Sequence, residues 1–90
     1  MLAVDTNVLV RFFTRDDPQQ AERARRVVAH NEIFVSKTVL LETDWVLRRT
    51  YRYTREAVIS TLRLLLSATS VSIEDPIVVE EALRLAAANE

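Results

Sequence analysis

The sequence contains no glycine and no cysteine in 90 residues. Average usage of ~7% predicts about six glycines in such a chain. Their absence excludes a Walker phosphate loop, a GxGxxG dinucleotide fingerprint and glycine hairpins. Without cysteine there is no disulfide and no thiolate zinc site, and nothing points to an oxidising compartment. Histidine occurs once, as His30 at an expected helix end, and no motif sets a serine, threonine or lysine beside it for a nucleophilic triad. No apolar run approaches the roughly 20 residues of a membrane span. The N-terminus lacks the blocks of a signal peptide, so the expected compartment is the cytoplasm. Hydrophobic residues make up 49% and charged residues 28%, a soluble globular composition. The length allows one small domain with little stability to spare.

The net charge of -1 gives no overall attraction to nucleic acid. The charges are nonetheless segregated. Arg48, Arg49, Arg52, Arg55 and Arg63 are opposed only by Glu56, while the tail is acidic. Lys37 is the only lysine, and the guanidinium fork of arginine suits phosphate. Tyr51 and Tyr53 lie among these arginines, placed either to stack on unpaired bases or to pack. The arginine stretch reads equally as a solvated helix face.

Apolar runs and capping residues set the organisation. Leu2 to Val4 predicts a strand, with Asp5, Thr6 and Asn7 following as cap-type residues. Val8 to Phe13 predicts a short buried helix. Asp17-Pro18 restarts a helix with Ala21, Ala24, Val27 and Val28 on one face, fading near His30 and Asn31. Ile33 to Val35 predicts a second strand, and Ser36 caps a helix from about Lys37 to Tyr51. Thr54 starts the next, with Val58, Ile59, Leu62, Leu65 and Leu66 on one face. Val71 to Ile73 predicts a third strand. Asp75-Pro76 opens a last helix carrying Val79, Ala82, Leu83 and Ala86. Alternating strands and helices predict an α/β fold, a parallel sheet with flanking helices.

Two carboxylates stand out. Asp5 sits where a buried strand gives way to a helix, the end at which open parallel sheets bind ligands. It is also an ordinary helix cap. Glu42 falls between Trp45 and Val46 around its helix, within an arc that also holds Val39, Leu40, Thr43 and Leu47. That predicts an inward or cleft-facing carboxylate, with Asp44 on the solvated side. A carboxylate so placed needs a metal or a partner, and Arg49 lies at nearly the same angle to supply one. Leu41 and Trp45 fall partly outside the main arc, which suits a partner surface as readily as a core.

The stretch Leu2-Ala3-Val4-Asp5-Thr6-Asn7-Val8-Leu9 resembles the opening motif of the PIN-domain family, especially its VapC-type toxin branch. Val35-Ser36, Thr38 to Glu42 and Trp45-Val46-Leu47 resemble its second segment, at the right spacing from Asp5. Glu74-Asp75-Pro76 to Ala86 resembles the helix before the family's later acidic motif. The resemblance implies a metal-dependent ribonuclease. Asp5 and Glu42 would hold Mg²⁺ or Mn²⁺, with Thr6 and Asn7 lining the site and Arg48, Arg49, Arg52 and Arg55 as candidate RNA contacts. It also implies spatial strand order three, two, one, an antitoxin protein as partner, and homodimers or higher self-association. The family's further aspartates and two more strands have no counterpart up to Ala88-Asn89-Glu90. Residues 1–90 are therefore expected to be the N-terminal part of a single PIN domain, missing the C-terminal strands, and weak or inactive as a nuclease.

Two other functions compete. A haloacid-dehalogenase-like phosphatase also uses a strand-end aspartate but wants aspartate and then threonine where this chain has Asn7 and Leu9. A non-catalytic module would use the arginines to bind RNA or protein.

Overall fold

The computed structural model describes residues 1–88; Asn89 and Glu90 lie outside the described residues. The elements run β1 (Leu2–Ala3), α1 (Thr6–Thr14), α2 (Pro18–His30), β2 (Ile33–Val35), α3 (Lys37–Arg49), α4 (Arg55–Ser67), β3 (Val71–Ile73) and α5 (Pro76–Ala88). The three strands form one sheet in the order β1-β2-β3, all parallel, with Ile33 facing Leu2 on one side and Val71 on the other. This is the expected α/β architecture and strand order. β1 is an edge strand among the described residues.

Short polar side chains start most of the helices. Asp17 accepts from the backbone N–H groups of Gln19 and Gln20, with Pro18 in the first turn of α2. Ser36 accepts from Val39 at the start of α3, and Thr54 from Ala57 at the start of α4. Two boundaries differ from expectation. Helix α1 begins at Thr6 rather than Val8, because the Asp5 cap draws the two preceding residues into its first turn. Helix α3 ends at Arg49 rather than Tyr51. The chain turns there through Arg52 at φ 60°, and the Tyr53 N–H donates back to the Leu47 carbonyl at 3.0 Å. Val4 lies just past β1, yet its N–H donates to the Phe34 carbonyl and its side chain is buried.

The core lies between the sheet and the helices. Leu9, Ile33, Val35 and Leu47 are sealed from solvent together with Thr43. The Thr43 hydroxyl donates to the Val39 carbonyl at 2.7 Å, which satisfies the one buried polar side chain of the core. Helix α1 packs on α2 and α3, while α4 packs on α3, α5 and β3. Glu74 accepts from the Lys37 N–H at 2.9 Å, and Asp75 pairs with the Lys37 ammonium at 2.6 Å. These contacts lock the turn after β3 onto the start of α3.

Candidate active site

Asp5 is the second residue after β1. Its extended backbone (φ -95°, ψ 176°) turns the side chain back so that Oδ1 accepts from the Val8 N–H at 3.1 Å. It is therefore the cap of α1. Among the described residues its other carboxylate oxygen has no partner, and the residue is exposed. Capping and cation binding use different oxygens, so the two roles are compatible. Thr6 opens α1 half-buried, and Asn7 follows exposed. Asp5 and Asn7 line a groove of about 370 Å³ between α1 and α2, walled by Arg11 and Arg23. Thr6 does not line it.

Glu42 is exposed, which corrects the inward placement expected from the sequence. The cause is Trp45, counted as an inward apolar residue but 56% exposed. With Trp45 outside, the buried line of α3 contracts to Leu40, Thr43 and Leu47. Glu42 lies two residues from Leu40, roughly 160° around the axis. Asp44, expected on the solvated side, is half-buried. It receives a two-pronged contact from Arg48 at 2.9 and 3.0 Å. Glu42 makes no ion pair with Arg49, whose guanidinium sits 5.3 Å from the Trp45 ring centroid.

The two carboxylates belong to the same end of the sheet. Asp5 follows the carboxyl end of β1, Glu42 stands in the second turn of the helix after β2, and α1 packs on α3. No hydrogen bond links them, and Glu42 is absent from the groove that Asp5 lines. Among the described residues, no three histidine, cysteine, aspartate or glutamate side chains gather around a cation position. The donors are hard oxygens, and Mg²⁺ binds through one or two carboxylates together with waters and substrate phosphate. The second oxygen of Asp5 and the exposed carboxylate of Glu42, neither with a partner among the described residues, fit that chemistry.

The arginines divide by what already holds them. Arg48 is engaged by Asp44, Arg49 by Trp45, and Arg52 stands exposed in the turn after α3. Arg48 and Arg55 border a second, larger groove of about 740 Å³ between α3, α4 and α5, with an apolar floor that includes Val58, Leu62 and Leu83. Arg11 and Arg23 were not singled out from the sequence. A signal was available: neither has an acidic residue three or four positions away. Arg25, Arg48 and Arg84 each have at least one, and each pairs with one.

A helix-flanked parallel sheet with carboxylates beyond the ends of its strands defines an α/β protein, the class in which ligands bind beyond the carboxyl ends of the strands. The family model of the PIN domain matches residues 2–90, and the chain belongs to that family. PIN domains are generally nucleases. Comparison with curated proteins and with solved structures gives no match. Among the described residues, no helix is long and apolar enough to cross a membrane.

Proposed function

We propose that the chain has the chemistry of a metal-dependent endoribonuclease of the VapC type, the toxin of a toxin–antitoxin pair, and that by itself it is weak or inactive. The observation that carries the reading is Asp5: a PIN-domain chain presents, just past its first strand, a carboxylate with one oxygen fixed by the cap and one free. Asp5 and Glu42 are the residues to hold Mg²⁺ or Mn²⁺. When bound, the ion activates a water and offsets charge on the phosphodiester. The Asp5 cap bond holds the carboxylate in one orientation without burying it. Thr6 and Asn7 line the same end of α1. Exposure of Asp5 and Glu42 leaves the site open to a polymer rather than a small molecule.

The partners of this reading are an RNA substrate, an antitoxin protein and a second copy of the chain. Self-association is supported by the outer edge of β1, which has no strand neighbour among the described residues, and by Leu2, which stays exposed on it. The test is cleavage of RNA in Mg²⁺, with and without chelator. Cleavage that needs the metal and disappears on Asp5→Asn supports the reading. Turnover of a phosphomonoester in its place favours a phosphatase, and RNA binding with no cleavage and no response to Mg²⁺ or to Asp5→Asn favours a non-catalytic module; either outcome rejects it.

A further inference from the structure

We propose that the groove between α1 and α2 is the track along which an RNA backbone reaches Asp5, with Arg11 and Arg23 holding its phosphates; this rests on the reading of Asp5 as the nuclease aspartate. The groove of about 370 Å³ is built from one face of each helix. Helix α1 offers Asn7, Val8 and Arg11, and α2 offers Gln20, Arg23, Ala24 and Val27 at positions i, i+3, i+4 and i+7. Arg11 lies six residues beyond Asp5, a rise of ~9 Å along α1. Positive charge thus extends away from the carboxylate along the helix.

Charge balance favours a polyanion here. Among the described residues, Asp5 is the only acidic one lining the groove, against two arginines. Neither arginine has a carboxylate partner among the described residues. Glu22, the nearest acidic residue in sequence to Arg23, is engaged by Arg25 and Arg26. A guanidinium free of carboxylate is available for two-pronged contact with a phosphate. Because the groove starts at the proposed nuclease aspartate, the polyanion it fits is the RNA backbone. The larger groove offers no such site, because its floor is apolar and its Arg48 is already bound to Asp44.

The test is anisotropy of a fluorescein-labelled single-stranded RNA oligonucleotide with the full chain, in chelator so that no cleavage intervenes, over a series of NaCl concentrations. Arg11→Gln and Arg23→Gln are each expected to weaken binding several-fold and to flatten the log–log salt slope by about 0.7, the share of one phosphate on a single strand. Arg63→Gln, on α4 and outside the groove, is expected to leave both unchanged. Arg11→Lys is expected to keep the slope, which separates loss of charge from loss of packing at this half-buried position. A wild-type chain that fails to bind, or groove variants with the wild-type slope, overturns the proposal. So does a loss confined to a polyglutamate peptide, which would make the groove a protein-docking site. Because no cleavage is read, the outcomes are separable. Loss of cleavage in Asp5→Asn with unaltered binding in the arginine variants sinks the track alone. Undiminished cleavage in Asp5→Asn overturns the reading of Asp5, and with it the track as a path to that residue, whatever the arginine variants bind.

Discussion

Tyr51 donates its phenolic hydrogen to Asp16 across 2.8 Å, tying the turn between α1 and α2 to the segment that follows α3. The bond holds the Asp16 carboxyl below its ordinary value of 3.8 and, with some help from burial, the Tyr51 phenol above its ordinary 10.0. A lowered carboxyl pKa contributes stability that is present above the ordinary value and is lost as pH falls through the lowered one. A raised phenol pKa contributes stability that is present below the ordinary value and is lost as pH rises through the raised one. Tyr51→Phe removes both. Its melting temperature should therefore run below that of the parent by a small, constant margin between pH 3.8 and 10.0, and the two curves should converge on either side. The margin is small because the bond itself is open to solvent on the Asp16 side. Parallel curves down to pH 2 would show that the bond is not the source.

The elements were legible in the sequence because their signals are local. Asp17-Pro18, Ser36 and Thr54 each cap a helix, and the apolar spacing of α4 holds from Val58 to Leu65. Asp5 was legible as a residue at the end of a strand. What failed was the facing of α3. Helical angles weigh an apolar residue as an inward vote, and Trp45, at 56% exposure, votes falsely. The groove arginines were missed for a different reason. Arg11 and Arg23 line one groove only once α1 and α2 pack, and a sequence pattern does not pair residues on two different helices. Tyr51 read as a packing or stacking residue, and it does pack against the core. Its bond to a residue 35 positions away is beyond any local pattern.

Two substitutions at Asp5 separate its two roles. Asparagine caps about as well as aspartate, whereas alanine costs about 1 kcal/mol at a cap. Asp5→Asn should keep the stability of the parent while abolishing metal-dependent RNA cleavage. Asp5→Ala should abolish cleavage and also lower the melting temperature by ~4–8 °C. The check is a thermal melt of both variants beside the cleavage assay. If the two melt alike, the bond to the Val8 N–H contributes nothing to the start of α1.

With no glycine in the chain, left-handed backbone falls to ordinary residues. Arg15, Arg52 and Asp75 adopt φ of 55°, 60° and 48°. A residue with a Cβ gives up roughly 1–2 kcal/mol in that conformation. Glycine avoids the clash but loses about 0.5–1 kcal/mol more backbone freedom. Arg52→Gly should therefore gain up to about 1 kcal/mol, read from denaturant unfolding, whereas Arg52→Ala should gain nothing, because alanine keeps the Cβ. A glycine variant no more stable than the alanine variant would mean that the turn after α3 relaxes at no cost.

Trp45 supplies a direct readout of metal binding. It is the only tryptophan, it stands exposed on α3, and it lies three residues from Glu42, which makes the two neighbours on the helix surface. Mn²⁺ is a paramagnetic quencher that acts at short range. If Glu42 holds the ion, Mn²⁺ should quench Trp45 emission along a saturable curve, and Mg²⁺ should reverse it by competition. Glu42→Gln should remove the saturable component. Asp5→Asn should weaken it as well, because both carboxylates belong to the same proposed site. The cation over the indole adds a control. Arg49 sits 5.3 Å from the ring, so Arg49→Gln should alter the starting emission without altering the Mn²⁺ midpoint. Quenching that persists in Glu42→Gln and vanishes in Asp5→Asn would place the ion at the end of β1 alone and take Glu42 out of the site.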